Sequence, residues 1–499
     1  MNPNSFLNSY SHLVRHIRCA AIKERNANVA LSLAWVYGDF RWFNHDGVYQ
    51  DAELENKLQV KVLESKLYSP PYLYGNSNVT IVLATELYNQ GGHSAVAVNW
   101  MNLFSDEKNH KLVVTRSIDY SIINSLVEDK VDFHLCSSKG VQLINEILAC
   151  AALADRIVLH IHPSDIESAI AAKILQNAGK KIFFYNHADH AFSYGISCSN
   201  IVCEISAYGV SLRNRSKRVG IYSFLGIPIS FRTFSKKISS DGKGALGSKI
   251  VSCGSAYKYA PDKVFFGDFI DDLLLCKPDA TVSIVGPTGK EPWWCANALR
   301  WGDSVQFLGV LPHDEYVKVL QSADVYVDSF PLTGGTAFPE ALLNGILVTG
   351  LQHSVQGYSP ADELKVENIK QLTERVVKLL NKDIVCVETV LRVKENVEYF
   401  HSLNRFYENV NKLYNGIVVA NNEIKVNVDT FWIEKKWIKS QEIIPPTWSS
   451  FRSMPMSARL KILLELSKVF NYTKFINIAK LILFTLISPK FLRKCLQKL

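Results

Sequence analysis

The chain has 499 residues, more than one typical domain, so two large domains with additional segments are predicted. With 47% hydrophobic and 20% charged residues, its composition excludes wholesale disorder and collagen-like structure. The formal net charge of +8 would suit a nucleic-acid partner only if it were spread over the chain. It is concentrated instead in residues 451–499, which hold ten Lys and Arg against one acidic residue, Glu465. We therefore expect no nucleic-acid partner.

The ten cysteines form no C-x-x-C pair, which predicts buried free thiols in a reducing compartment and no structural zinc site. The first twenty residues lack the apolar core of a secretory signal. No apolar run reaches the roughly 18 residues that a membrane-spanning helix needs. A cytoplasmic location is therefore predicted.

Residues 1–74 are predicted to form a mostly polar helical preface, which ends at a Ser-Pro-Pro breaker and has no assigned chemistry. In residues 75–232, short apolar runs alternate with amphipathic stretches, as in a parallel sheet with crossover helices. Strands are predicted at 79–84, 111–115, 131–136, 156–161, 181–186 and 200–204. This segment is the predicted N-terminal, acceptor-binding domain.

Residues 233–248 are rich in Gly, Ser and Lys and are predicted to be an interdomain linker. The α/β alternation restarts in residues 249–390, the predicted C-terminal domain, with strands at 249–253, 281–285, 304–308, 324–328 and 346–350. Residues 391–450 are predicted to contain a closing helix, up to residue 414, followed by an irregular connection.

The basic tail, residues 451–499, interleaves Lys and Arg with Leu, Ile and Phe. Such a pattern is typical of an amphipathic helix that lies on an anionic membrane surface. The alternative is a basic helix that packs on its own domain. The first interpretation places the protein on the inner face of the cell membrane, without crossing it.

The residues that directly follow strands are the candidates for ligand binding, because ligands of doubly wound sheets bind beyond the carboxyl ends of the strands. After the first predicted strand, Gly91 and Gly92 permit a tight turn and His93 opens a helix. An imidazole there faces the crevice with a pKa suited to a general base. The alternative is that His93 only caps the helix.

Further ionisable side chains follow the fourth and fifth predicted strands. Ser164 and Glu167 have the spacing of a capping box for the next helix. The histidines here could contact an acceptor or bind a metal ion, the first being preferred because no pair has helical i, i+4 spacing. The side chains considered are His160, His162, His187, Asp189 and His190. If His93 is not the catalytic base, His187 or Asp189 is predicted to take that role. His162 and His190 are predicted to line the cleft.

The second domain carries a stronger signal, a Thr-Gly-Gly-Thr turn between a strand and a short helix. The turn's backbone amides and the hydroxyl of Thr336 are predicted to bind a diphosphate, and Glu340 to accept hydrogen bonds from ribose hydroxyls. Lys258, shortly after the first strand of this domain, is predicted to neutralise phosphate oxygens. The alternative is a plain glycine turn in which Thr336 caps the helix.

These residues resemble glycosyltransferases of the GT-B architecture, in which two Rossmann-like domains face a cleft. Residues 307–345 are similar to O-linked N-acetylglucosamine transferases without gaps. The glycine turn at Gly91 and Gly92, the histidines near His187 and the stretch from Gly254 to Lys258 also look like bacterial polysaccharide and lipopolysaccharide glycosyltransferases. The resemblance covers about residues 78–415.

The resemblance implies a role for each matching position. His93 would be the base, Lys258 and the glycine turn would bind the diphosphate, and Glu340 would bind the ribose. Leu311, His313 and Tyr316 would contact the nucleobase. The implied donor-binding residues are Gly254, Ser255, Lys258, Leu311, His313, Tyr316, Thr333, Gly334, Gly335, Thr336 and Glu340. The family has a histidine where Gly335 stands and an aspartate where Glu340 stands, and this chain lacks the helical repeats of the protein-modifying members.

The predicted function is therefore transfer of a sugar from a nucleotide sugar to a glycan acceptor, lipid-linked, in bacterial cell-surface polysaccharide or lipopolysaccharide (O-antigen) synthesis. No metal or other cofactor is expected. Retaining relatives often have two glutamates eight residues apart, and Leu332 occupies the first position, which favours an inverting mechanism. The alternatives are a nucleotide-sugar epimerase, a phosphorylase, or a non-catalytic sugar-binding partner of a membrane assembly complex.

Overall fold

The computed structural model describes most of the chain. The residues it describes are 3–74, 78–88, 92–103, 109–128, 131–216, 220–229, 248–420, 424, 429–440, 443–444, 446, 454 and 456–467. The predicted linker at 233–247, Gly91, and residues 468–499 of the basic tail lie outside them.

Three helices open the chain: α1 (Pro3–Lys23), α2 (Ala27–Phe43) and α3 (Ala52–Leu63). Asn26 and Asp51 cap the second and third, each accepting a hydrogen bond from a backbone amide three residues on. Helix α2 is apolar on nearly every side and is almost wholly buried. The preface is therefore helical as predicted but not mostly polar, and its side chains belong to the same hydrophobic core as one face of the first sheet.

The first sheet has seven parallel strands in the order β3-β2-β1-β4-β5-β6-β7. They are β1 (Val79–Leu87), β2 (His110–Ile118), β3 (Phe133–Leu135), β4 (Ala154–His160), β5 (Lys181–Tyr185), β6 (Ile201–Glu204) and β7 (Ile221–Phe224). The crossover helices are α4 (Gly92–Leu103), α5 (Tyr120–Glu128), α6 (Val141–Cys150), α7 (Ile166–Asn177) and α8 (Ala207–Ser216). The order reverses between β1 and β4, where such sheets bind ligands.

The second sheet has six strands in the order β10-β9-β8-β11-β12-β13, again all parallel. They are β8 (Lys249–Cys253), β9 (Thr281–Val285), β10 (Val305–Gly309), β11 (Val325–Val327), β12 (Leu347–Leu351) and β13 (Lys365–Val366). The helices are α9 (Phe266–Cys276), α10 (Cys295–Trp301), α11 (His313–Ser322), α12 (Ala337–Leu343) and α13 (Ile369–Leu380). Its reversal point lies between β8 and β11.

The helical stretch predicted up to residue 414 is two helices, α14 (Ile384–Phe400) and α15 (Leu403–Tyr414). The first packs on the core of the second sheet, whereas the second packs on the first sheet. The chain thus returns to its first half after residue 402. The connection predicted to be irregular contains a helix, α16 (Trp432–Ser440), whose Trp437 is buried against the preface.

The described part of the basic tail forms helix α17 (Met456–Ser467). Ala458 and Ile462 are buried in the core that the preface forms, and Glu465 lies 2.7 Å from the Nε2 atom of His16. Residues 456–467 therefore pack on the protein, which corrects the prediction that the stretch from residue 458 lies on a membrane. None of the helices in the described ranges is long and apolar enough to cross a membrane.

The cysteines in the described part of the chain are free thiols, as predicted. They are not all buried, because Cys19, Cys276 and Cys295 are exposed on helices. Among the described cysteines, the prediction of buried thiols therefore holds for Cys136, Cys198, Cys203 and Cys386 only.

Candidate active site

The reversal points of the two sheets face each other. A Cβ atom built on Gly92, at the start of α4, would lie 3.8 Å from both Oγ1 and Cγ2 of Thr336. Gly92 follows β1, and Thr336 follows β11. The two motifs that the sequence singled out, far apart in the chain, therefore form one crevice.

Three histidines at the ends of β1, β4 and β5 form a compact group, called here the histidine group: His93, His160 and His187. The rings of His93 and His187 stack with centroids 3.9 Å apart, and Nδ1 of His160 lies 2.9 Å from Nε2 of His187. Burial lowers the pKa of all three, and their mutual repulsion lowers those of His160 and His187 further. The group is therefore neutral near pH 7.

The tautomer of His93 follows from its hydrogen bond. Its Nε2 atom lies 2.9 Å from the backbone carbonyl oxygen of His160, and a carbonyl only accepts, so Nε2 carries the proton. Nδ1 then holds a lone pair, and it has no hydrogen-bond partner among the described residues. A helix-capping role does not explain this arrangement, whereas a general base needs it.

The metal alternative for the crevice histidines does not fit their contacts. The close nitrogens of His160 and His187 are hydrogen-bonded to each other, so they do not converge on a third atom. Within the described residues, the group with ligand atoms close enough to hold a metal is His134, Cys136 and Glu146, which lies at the edge strand β3 and helix α6.

Asp165 connects the strand ends beneath the first half of the crevice. Its carboxylate accepts hydrogen bonds from Thr85 Oγ1 at 2.6 Å and Thr115 Oγ1 at 3.3 Å, which end β1 and β2. It also accepts from the amide of Ser168 at 3.0 Å and so caps α7. The backbone amide of His162 donates to Thr85 Oγ1 at 2.8 Å. One buried carboxylate thus fixes three strand ends.

The capping box predicted from Ser164 and Glu167 is wrong, because Asp165 caps this helix. The hydroxyl of Ser164 donates instead to Asp39 of α2 at 2.5 Å. Oε2 of Glu167 is buried without a hydrogen-bond partner among the described residues. Burial raises the pKa of Glu167 to about 7.

Asp189 is not placed to act as a base. It is completely buried and accepts hydrogen bonds from Ser206 and, at 3.3 Å, from the hydroxyl of Tyr358 in the second half. His190 lies beside it, with Nδ1 3.3 Å from Oδ1 of Asp189. This carboxylate therefore links the two halves, so the predicted catalytic role passes to the histidine group.

The Thr-Gly-Gly-Thr turn is organised by Asp328, directly after β11. Oδ1 of Asp328 accepts from the amide of Gly334 at 2.8 Å, and Oδ2 accepts from Oγ1 of Thr333 at 2.6 Å. The prediction that these two groups bind phosphate is therefore corrected, because both are already used inside the turn. The hydroxyl of Thr336 has no hydrogen-bond partner in the described part of the chain, and it does not cap α12.

Lys365 completes this arrangement, and sequence reasoning missed it. Its ammonium lies 2.9 Å from Asp328 and 2.7 Å from Asp362, and it donates to Thr333 Oγ1 at 3.0 Å. Lys365 and Asp328 are each 1% exposed. Although burial alone would lower the pKa of Lys365, the two carboxylates raise it above its ordinary value. A fully paired buried cation therefore sets the shape of the turn.

Lys258 lies on the other side of the turn, in a short helix over Ala256–Tyr259. A Cβ atom on Gly254 would lie 3.3 Å from Cδ of Lys258, so this glycine makes room for the lysine stem. Burial lowers the pKa of Lys258, and nearby Asp328 partly offsets the effect. No ion pair or hydrogen bond from its ammonium occurs among the described residues. Its backbone carbonyl accepts from the amide of Leu332 at 3.1 Å, so Lys258 is a partly buried cation without a bonded partner, beside the start of the turn.

The remaining residues predicted to bind the sugar donor follow strands β8, β10 and β11 of the second sheet. Nε2 of His313 lies 3.7 Å from Oε1 of Glu340, and burial raises the pKa of Glu340. Tyr316 is buried, with its hydroxyl unpartnered within the described ranges. Leu311 packs on the core, and Ser255 is exposed.

Gly335, where the related transferases have a histidine, has φ +72°. This left-handed conformation favours glycine, and no atom lies within 4 Å of a Cβ built there. The local turn geometry therefore explains why glycine stands at this position, and the space beside Gly335 is open.

No protein-family model matches the sequence, and no curated protein matches it. Solved structures do match. HepE of Anabaena in complex with UDP has a TM-score of 0.52 at 12% identity, covering 68% of this chain and 100% of HepE. HepE in complex with UDP-glucose has a TM-score of 0.51 at the same identity and coverage. These neighbours are GT-B glycosyltransferases. The chain has the GT-B fold.

A mutant of TarM from S. aureus, in complex with Fondaparinux, alpha-GlcNAc-glycerol and UDP, has a TM-score of 0.51 at 11% identity, and the match covers 68% of this chain and 100% of TarM. The fold class predicted from the alternation of strands and helices is thereby confirmed. In the GT-B fold of this chain, the histidine group stands on the first sheet, and Lys258 and Thr336 stand on the second.

Proposed function

We propose that this chain is a glycosyltransferase that moves a sugar from a nucleotide sugar to a hydroxyl group of a glycan acceptor. The observation that supports the proposal is the close approach of Gly92 to Thr336, because His93 follows Gly92 and Lys258 contacts the segment that leads into the turn. A base on one wall and a cation on the other are what such a displacement requires.

The donor side would hold the diphosphate without a metal ion. Lys258 is a cation without a bonded partner among the described residues, and the hydroxyl of Thr336, in the same turn region, makes no hydrogen bond there either. The structures of HepE with UDP and with UDP-glucose support a nucleoside diphosphate sugar as the donor class. Glu340, near His313, would receive the ribose hydroxyls.

The acceptor side would supply the base. As the acceptor oxygen bonds to the anomeric carbon, Nδ1 of His93 takes its proton and the bond from that carbon to the diphosphate breaks. Nε2–H of His93 keeps its hydrogen bond to the carbonyl of His160, which stabilises the imidazolium formed. A single displacement of this kind inverts the anomeric centre.

The proposal is tested by incubating the full chain with UDP-glucose and other nucleotide sugars and measuring released nucleotide, with EDTA present in a parallel sample. Acceptor-dependent release that EDTA leaves unchanged is the expected result. An epimerised donor would favour the epimerase alternative, and phosphate-dependent release would favour a phosphorylase. Binding of nucleotide sugars without turnover by any added glycan would favour a non-catalytic partner.

The pH dependence of transfer should reflect His93. Because burial lowers its pKa below the ordinary value of about 6.5, the base stays unprotonated as the pH falls through 6.5. We therefore expect the acidic limb of the kcat/KM profile to lie below pH 6.5 and to disappear in His93→Asn. A limb above pH 6.5, or one that survives in His93→Asn, would contradict the assignment.

We also propose a lipid-linked acceptor and a membrane-bound enzyme, for which residues 468–499 are the available segment. They contain seven of the ten basic residues of the tail, and no acidic residue. Deleting 468–499 is expected to abolish flotation with vesicles that contain anionic lipid and to leave release of nucleotide with a soluble acceptor intact. Unchanged flotation would contradict the proposal.

A further inference from the structure

The C-terminal part of α2 lies against the first half of the crevice. Trp35 stacks on His162 at an interplanar angle of 8° with centroids 6.2 Å apart, and Trp42 meets the same ring edge-on at 4.2 Å. Nδ1 of His162 is 2.8 Å from the hydroxyl of Ser164. Burial lowers the pKa of His162 to about 3, so the ring is neutral. The preface thus supplies an aromatic wall beside β4.

Arg116, near the end of β2, adds a positive charge to this wall. Its guanidinium carbon lies 3.3 Å above the centroid of the Trp35 ring. It makes no hydrogen bond and no ion pair within the described part of the chain. Glu167 is near enough for the charge of Arg116 to lower its pKa, but no bond joins them, and burial keeps the net pKa of Glu167 raised. Arg116 is therefore positioned by stacking, with its donors unused.

The wall is continuous with the histidine group. His93 is hydrogen-bonded to the carbonyl oxygen of His160, two residues before His162. Arg116 stacks on Trp35, which in turn stacks on His162. A sugar whose hydroxyl approached Nδ1 of His93 would therefore extend along His162 toward Arg116. A planar guanidinium held on an indole is the preferred protein group for a phosphate or carboxylate.

We propose that Trp42, Arg116 and His162, supported by the buried ring of Trp35, form an acceptor subsite that binds an anionic group, phosphate or carboxylate, attached to the acceptor sugar. The subsite rests on the proposed function, since it assumes that the acceptor hydroxyl is bound at His93. It gives the preface a role in acceptor selection.

The subsite is tested on the full chain with its donor site saturated by UDP, using ligand-observed NMR. The probes are glucose 1-phosphate, glucuronic acid and neutral methyl glucoside. We expect one or both anionic sugars to bind at least about tenfold more tightly than methyl glucoside. Glucose 1-phosphate and glucuronic acid separate phosphate from carboxylate recognition. Equal binding of all three sugars, or no saturable binding of either anionic sugar, would overturn the proposal.

Arg116→Gln should remove the preference for the anionic sugar, and Arg116→Lys should retain part of it. Arg25→Gln is the matched control, because Arg25 is exposed in the turn between α1 and α2. This substitution should leave the preference for the anionic sugar unchanged. UDP binding separates the two proposals: if wild-type protein does not bind UDP or nucleotide sugars, the proposed function fails. If UDP binds normally and Arg116→Gln, with an unchanged melting temperature, keeps the preference, the subsite alone fails.

Discussion

Lys258→Ala is expected to lower kcat for sugar transfer by about 10²–10³-fold, because it removes the cation that stabilises the leaving diphosphate in a partly buried site. Affinity for the nucleotide sugar should fall as well, because the same charge contacts the ground-state diphosphate. The measurement is initial-rate kinetics at saturating acceptor, with nucleotide release as the readout.

Lys263→Ala provides the control for this experiment. Lys263 is an exposed lysine five residues further along, so its removal changes the net charge equally without altering the crevice. Turnover by Lys258→Ala equal to that of Lys263→Ala would exclude the assigned role. Circular dichroism of both variants verifies that the fold is retained.

Lys365→Met is expected to lower the free energy of unfolding of the second half by about 3–5 kcal/mol, because Asp328 and Asp362 would remain buried without their shared cation. Nucleotide-sugar affinity should fall in parallel, since Asp328 also holds Gly334 and Thr333 in the turn. Denaturant unfolding and calorimetric titration with UDP-glucose measure the two effects.

The matched control is Arg392→Met. Arg392 pairs with Glu363, but both side chains are more than half exposed, so the loss is expected to stay within about 1 kcal/mol. If Lys365→Met were as stable as Arg392→Met, the buried ion group would not be what maintains the turn.

Most strands could be predicted from the sequence, because parallel strands buried on both faces appear as short continuous apolar runs. The two that were missed lack this signal. Strand β7 begins with the exposed Ile221, and β13 has two residues. The preface was predicted to be mostly polar because polar residues are frequent in α1 and α3, although the sequence of α2 is itself apolar.

The positions of the site motifs could also be predicted, because the sheet order brings residues after β1, β4, β8 and β11 to the crevice. Their pairings could not. The sequence offers no signal that His160 bonds to His187, or that the amide of Gly334 is taken by Asp328. Lys365 stands in no motif and lies 32 residues from Thr333, so only the structure connects them.

Helix α2 determines where the smallest folded form of this protein can begin. Cutting the chain just before Val79 would leave all seven strands of the first sheet, yet it would remove a helix that packs on α7 and on the segments around Ser164 and Tyr194. Gly38 packs so closely there that an added Cβ would lie 2.7 Å from Tyr194 and 2.9 Å from Ser164. The N-terminal helices are therefore not a detachable module. Truncations, domain swaps and chimaeras of this protein should treat residues 3–63 as part of the half that contains the first sheet.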